Sequence, residues 1–118
     1  MAASLLQSAA TAHSAGITQK QICLDPGIGF AKDLHGNLEL LRRLPELCSL
    51  GYPLLVGTSR KAFIGRVLQR DVAADRLFGT AATVAHAVTS GARIVRVHDV
   101  LAMKDVALMA HAINSQKS

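Results

Sequence analysis

The sequence predicts an α/β fold with parallel strands, and three observations carry that reading. Helix-like and strand-like segments alternate along the 118 residues, the order expected of strand–helix–strand crossovers. The three strand-like runs are short, aliphatic and bounded by Gly, Pro or a polar turn. With only 3% aromatic residues, the core must be built from Leu, Val, Ile and Ala, as when alanine-rich helices pack closely on aliphatic strands.

In order, 4–15 repeats apolar residues at helical spacing (Leu5, Ala9, Ala12) and stops at Gly16, a residue suited to the position just past a helix. Residues 21–24 form the first apolar run, broken by the loop sequence Asp25-Pro26-Gly27-Ile28-Gly29-Phe30. Residues 37–48 form a leucine-rich helix on Leu38, Leu41, Leu44 and Leu47, with Pro45 marking a frayed turn or kink. The second strand is 53–57. Thr58-Ser59 then offers an N-cap to a helix over 60–69. Asp75 opens a long small-residue helix to Ser90, followed by Gly91; the third strand is 93–97, and Asp99 caps a last helix through Ile113. Residues 114–118 read as a polar tail, and 1–118 as a single domain or part of one.

Three parallel strands make a poor independent sheet, because parallel sheets are normally covered on both faces. With constant handedness the helices cover one face only. The chain is therefore either a small three-layer fold with unusual wrapping or a slice of a larger closed barrel.

Composition narrows the function. At 50% hydrophobic and 18% charged residues, with a mean hydropathy of +0.29, intrinsic disorder is excluded. No run approaches the roughly 18 apolar residues of a membrane span, and the N-terminus lacks the basic region of a secretory signal. Two cysteines, Cys23 and Cys48, make no disulfide framework and read as buried reduced thiols, so the cytoplasm is the expected location. The five histidines show no paired metal-ligand spacing. A net charge of +5 favours anionic partners. The basic residues are scattered, with Arg42-Arg43 on a solvated helix face, and aromatics for stacking on single-stranded nucleic acid are scarce. The charge points to a local anion site; nucleic acid and membrane are not expected partners.

The polar residues cluster where parallel strands end. Asp25 follows the first strand, Ser59, Arg60 and Lys61 the second, and Arg96 and His98 close the third. Parallel strands bring these ends to one edge, where ligands bind in α/β sheets and barrels. Arg96 and His98 share one strand face and Val95 and Val97 the other. Taken singly, each has a plainer reading: Asp25-Pro26-Gly27 a turn, Ser59 a cap, Arg60-Lys61 a solvated first turn, Arg96 a salt bridge with Asp25, His98 a core histidine. Taken together at three successive strand ends, the chemical reading outweighs them.

The strings Leu24-Asp25-Pro26-Gly27-Ile28-Gly29-Phe30, Gly57-Thr58-Ser59-Arg60-Lys61-Ala62-Phe63-Ile64-Gly65 and Arg96-Val97-His98-Asp99 resemble, in order and spacing, the three C-terminal signatures of dihydropteroate synthases. The resemblance runs over essentially the whole chain. It implies the C-terminal portion, about three strand–helix units, of a TIM (β/α)8 barrel. It implies condensation of 6-hydroxymethyl-7,8-dihydropterin pyrophosphate with p-aminobenzoate to 7,8-dihydropteroate in folate biosynthesis, the step sulfonamides target. By resemblance Asp25, Lys61 and Arg96 are the catalytic residues. Asp25, Gly57 and Lys61 meet the pterin, Phe30, Ser59 and Lys61 flank p-aminobenzoate, and Arg96 and His98 hold the pyrophosphate. The family's Mg²⁺ is expected to find its protein ligand in the N-terminal part of the barrel, outside these residues, so no metal ligand is assigned here. A whole barrel needs about 250 residues. The chain alone is therefore expected to be inactive, with self-association or a separate N-terminal half as possible cover for its open face. The alternative is a non-catalytic pterin- or phosphate-binding module.

Overall fold

The computed structural model describes residues 2–29 and 33–115. Its elements are α1 (Ala2–Ser14), a 3-10 turn (Gln19–Gln21), α2 (Leu34–Arg42), α3 (Leu44–Cys48), β1 (Leu55–Val56), α4 (Ala62–Leu68), a second 3-10 turn (Ala73–Arg76), α5 (Leu77–Ser90), β2 (Ile94–Val95) and α6 (Val100–Ser115). The α/β class is the one the sequence predicts, and the element order follows the prediction except at the first strand and in the division of the second helix into α2 and α3.

The strands are shorter than the sequence suggests. β1 and β2 pair in parallel with Leu55 opposite Ile94 and Val56 opposite Val95. The first predicted strand survives as a single parallel bridge, Leu24 to Leu54. Its ladder is nonetheless regular: the Leu24 N–H donates to the Pro53 carbonyl at 2.9 Å and the Leu55 N–H to the Leu24 carbonyl at 2.8 Å. Three parallel segments thus lie side by side with β1 in the middle. The Gln21 side-chain carbonyl accepts the Thr18 N–H at 3.0 Å, and this local bond commits 19–21 to a 3-10 turn instead of the ladder.

Period-2 alternation divides the sheet into two unlike faces. Ile22, Leu24, Leu54 and Val56 are buried against Leu5 and Ala9 of α1, Leu40 and Leu41 of α2, Leu44 and Leu47 of α3, Phe63 and Ile64 of α4 and Ala87 of α5. Each fully buried aliphatic side chain there contributes roughly 1.5–3 kcal/mol. The opposite face carries Cys23, Asp25, Leu55, Ile94 and Arg96, none of them buried, with Ile94 43% exposed. Cys23 is therefore an exposed thiol and Cys48 a half-buried one, correcting the reading of both as buried. The alternation that hides Leu24 turns Cys23 to the bare side.

Several helix boundaries also differ. The predicted helix over 37–48 is two helices broken at Arg43, with Pro45 in the first turn of α3. Proline has no N–H for the carbonyl four residues back; that carbonyl, on Leu41, accepts a hydrogen bond from His86 Nε2 of α5. The buried stripe is Asn37, Leu40, Leu41 and Leu44, whereas Leu38 is 42% exposed. Asp75 lies inside the 3-10 turn that leads into α5, and α5 stops at Gly91 with φ 110°. Asn114 and Ser115 continue α6; the rest of the predicted tail, 116–118, lies outside the described residues. No helix among the described residues is long and apolar enough to cross a membrane.

Candidate functional site

The C-terminal edge of the three parallel segments gathers the predicted residues. After Leu24 the chain turns at Asp25, whose Oδ1 accepts the Gly27 N–H at 2.8 Å, the side-chain turn that Asp-Pro-Gly favours. Gly29 follows with φ 89°, a conformation that glycine tolerates without strain. Its N–H donates to Asn37 Oδ1 at 2.8 Å, and Asn37 is only 3% exposed. Sequence reading missed Asn37. Leu38 fits the leucine spacing better, so no sequence signal marked Asn37 as a core position.

The loop after β1 turns its hydroxyls inward. Thr58 and Ser59 are buried; the Thr58 and Thr83 hydroxyls lie 2.7 Å apart, and Ser59 Oγ lies 2.8 Å from His98 Nδ1. Neither caps α4, which begins at Ala62 with Lys61 at its N-cap position. That corrects both the predicted cap and the predicted start of the helix at Arg60. Arg60 instead takes a left-handed φ of 58° and aims its guanidinium at Asp99, with Nη2 to Oδ1 at 2.8 Å and Nε to Oδ2 at 3.3 Å. The Asp99 carboxylate, expected as a cap for the last helix, faces this guanidinium. Hydrogen bonding from Arg60 holds the Asp99 carboxyl below the usual carboxylate range against the opposing effect of burial, and raises Arg60 in return.

Arg60 and Lys61 therefore have separate tasks. Lys61 reaches back to the first loop, where its Nζ donates to the Ile28 carbonyl and its side chain lies across Gly29; a Cβ there would stand 2.5 Å from Lys61 Cδ. Arg76, also missed from sequence, secures both ends of α4. Its Nη1 donates to the Arg60 carbonyl at 2.9 Å, Nε to the Arg70 carbonyl at 3.0 Å and Nη2 to the Asp71 carbonyl at 3.0 Å.

Arg96 crosses the bare face above Gly57. A Cβ on Gly57 would come within 2.7 Å of Arg96 Nη2, so the strand end needs glycine for the guanidinium to pass. Arg96 Nη1 stands 3.7 Å from Asp25 Oδ2, with the side chains 56% and 40% exposed. The pairing foreseen as one plain reading of Arg96 is present, yet in this solvent-accessible form it is worth little by itself. His98 adds a second link to the β1 loop, its backbone N–H donating to Ser59 Oγ at 3.1 Å.

The structure thus brings Asp25, Gly57, Ser59, Lys61, Arg96 and His98 to one edge, while Phe30 lies outside the described residues. The Asp25 charge also acts on Cys23, whose thiol is pushed up by the partial desolvation it has at the strand and by that carboxylate. A carboxylate beside a guanidinium, an ammonium and an imidazole suits a ligand with an N–H-rich end and an anionic end. It does not suit a hard cation, which takes oxygen donors; among the described residues no three His, Cys, Asp or Glu cluster as a metal set.

Residues 1–98 match the family of pterin binding enzymes. The chain is 54% identical over 98 residues to a dihydropteroate synthase of Synechocystis, covering 83% of this chain and 34% of that protein. It is 47% identical over 115 residues to the enzyme of the same name from Bacillus subtilis, covering 98% of this chain and 39% of the relative. Among solved structures, a Coxiella burnetii dihydropteroate synthase in complex with pteroic acid superposes with a TM-score of 0.94 at 38% identity, over 98% of this chain and 44% of that one. A Xanthomonas albilineans dihydropteroate synthase with 4-aminobenzoic acid gives 0.93 at 37% identity, over 98% of this chain and 42% of that one. The chain thus spans between 34% and 39% of the length of these two curated relatives.

Proposed function

The chain belongs to the pterin binding enzymes, and on that premise we propose that it supplies the pterin- and pyrophosphate-facing edge of a dihydropteroate synthase, as about three strand–helix units of its TIM barrel. The observation that carries the proposal is the convergence of Asp25, Lys61, Arg96 and His98 at one edge of parallel strands, on the side of the sheet the helices leave bare. Ligands of such barrels bind at the C-terminal ends of the strands.

In the proposed reaction the arylamine nitrogen of p-aminobenzoate attacks the pterin methylene carbon. The C–O bond to pyrophosphate breaks, the new C–N bond forms, and the attacking nitrogen loses a proton. Positive charge develops on the pterin and negative charge on the leaving group. Asp25 meets the first, and Arg96 with His98 the second, as groups already oriented before reaction. Lys61, held along Gly29, covers the pterin ring, and Gly57 keeps the strand end open beside it, where the Arg96 guanidinium crosses. Ser59 and Phe30 flank p-aminobenzoate. Mg²⁺, a hard cation that takes oxygen donors, does not fit the nitrogen-rich set of side chains gathered here.

Binding of pteroic acid, followed by amide chemical shifts of the 118-residue chain, tests the reading. Shifts at Asp25–Gly29, Gly57–Lys61 and Arg96–His98, abolished in Asp25→Asn, are the expected result. Shifts confined to the opposite, N-terminal edge of the strands would refute it. Binding by a complete barrel containing these residues, without any turnover, would favour a non-catalytic pterin-binding module.

A further inference from the structure

We propose that Ser59 is a positioning residue that fixes the neutral His98 imidazole in the Nε2–H tautomer, so that the ring presents an N–H donor to an anion at the strand ends. The tautomer follows from counting protons on one oxygen. Ser59 Oγ has a single hydrogen and accepts the His98 backbone N–H at 3.1 Å, a donor that cannot reverse. The same oxygen lies 2.8 Å from His98 Nδ1. If Nδ1 carried the proton, Ser59 would accept twice and its own hydrogen would need a third partner, whereas among the described residues its hydroxyl contacts only His98 and the residue is buried. With Nδ1 unprotonated, the Ser59 O–H donates to it and every group is satisfied. The proton of the neutral ring then sits on Nε2, because the bond made by one ring nitrogen decides the state of the other.

The surroundings preserve this state. Arg60 is paired with Asp99 and Arg96 with Asp25, and Lys61 Nζ donates to the Ile28 carbonyl. His98 itself is exposed. A consequence follows for the proposed chemistry, on which this step rests. An anion at Arg96 and His98 meets a donor even when the imidazole is uncharged, and the Ser59 proton cannot serve Nδ1 and a ligand carboxylate at once.

Long-range proton–nitrogen NMR spectra of the ¹⁵N-histidine-labelled chain, with His98 assigned by loss of its signals in His98→Gln, test the tautomer without any ligand. At alkaline pH Nδ1 is expected at the shift of an unprotonated ring nitrogen and Nε2 at that of a protonated one; the reverse pattern overturns the proposal. Ser59→Thr should keep the wild-type pattern, and Ser59→Ala should move both ring nitrogens toward the averaged shifts of an imidazole that exchanges between its two neutral tautomers. With inorganic pyrophosphate as probe, Ser59→Ala should bind about threefold to tenfold more weakly at alkaline pH. It should approach wild-type affinity at the acid pH where the spectra show both ring nitrogens protonated, since the tautomer then no longer matters. An equal loss at both pH values would make Ser59 a direct ligand contact or a purely structural residue, and would overturn the positioning role. Should Ser59→Ala fail to fold, the wild-type tautomer still decides. The expected tautomer with no pyrophosphate binding by the wild-type chain would refute the anion site and leave the tautomer assignment standing.

Discussion

Arg60 and Asp99 meet as a two-pronged ion pair, Nη2 to Oδ1 at 2.8 Å and Nε to Oδ2 at 3.3 Å, which ties the loop after β1 to the start of α6. The pair spans the same gap as the Ser59–His98 contact, so two adjacent bonds set the distance between the second and third strand ends. Arg60→Lys keeps the charge but loses the planar fork. It is expected to lower the melting temperature and to disturb the His98 amide resonance, as is Asp99→Asn. Because one interaction is removed by either change, the double variant should be less destabilised than the sum of the two. Additive losses would show that the side chains act separately.

The same pair sets a pH dependence. Arg60 holds the Asp99 carboxyl below its ordinary range, so the folded state favours the ionised form more than the unfolded chain does. The resulting stability is fully present above the unfolded value of about 3.9 and is lost as pH falls through the lowered folded value. The gap in melting temperature between wild type and Asp99→Asn should stay constant between neutral pH and about pH 5, then close as the acid range below about pH 3.9 is entered. A gap that widens with acid would contradict the assignment.

Asn37 is the buried support of the Asp25 loop. Asn37→Ala removes the acceptor for the Gly29 N–H from a position that is 3% exposed. The expected cost in urea unfolding is about 1–3 kcal/mol, with slowed or broadened Gly27–Gly29 amides. Gly29→Ala should disturb the loop from the other side, because φ is 89° there and Lys61 Cδ occupies the space a Cβ would need. Unchanged Asp25 loop resonances in both variants would show that the loop is held elsewhere.

The parts legible in the sequence were those written in local chemistry. Asp-Pro-Gly announces its own turn, and three aliphatic runs each ending in polar residues locate the strand ends. The partners of Thr58 and Ser59 were not legible because they lie 25 and 39 positions further on, and an isolated Thr-Ser reads as a helix cap. Nothing in the sequence marks Arg60 for left-handed backbone, since neither Gly nor Asn stands there. The leucine stripe was read correctly at Leu41, Leu44 and Leu47 and wrongly only at its start: Leu38 fits the leucine spacing, but the structure buries Asn37 for the sake of Gly29. Strand length depends on how many neighbours complete the ladder, and a run of aliphatic residues does not encode that.

Arg96 offers a test of the anion end. Arg96→Lys preserves the charge but cannot present two parallel N–H groups to a phosphate. Pyrophosphate affinity should fall roughly tenfold, the equivalent of about 1.4 kcal/mol. Gly57→Ala should weaken binding too, since its Cβ would stand 2.7 Å from Arg96 Nη2 and push the guanidinium aside. NMR titration reads both. Retained affinity in Arg96→Lys, or pyrophosphate shifts near Arg60 that spare 96–101, would show that the anion binds elsewhere.

The bare sheet face supplies the last prediction. Cys23, Leu55 and Ile94 lie on it, and among the described residues the core helices pack on the other side. A closed barrel would bury that face, and the proposed reaction needs ligands enclosed by strand ends that these residues do not provide. The 118-residue chain assayed alone is therefore expected to form no 7,8-dihydropteroate from dihydropterin pyrophosphate and p-aminobenzoate. Fusion to about five N-terminal strand–helix units of the Bacillus subtilis relative, enough to complete eight, should restore turnover. It should also protect Cys23 from a thiol reagent, whereas in the chain alone that thiol reacts, slowed by its raised pKa. The two readouts separate the possibilities. Protection without turnover would mean that the barrel closes but the strand ends are not catalytically arranged. Turnover by the chain alone would show that its exposed edge already forms a working site.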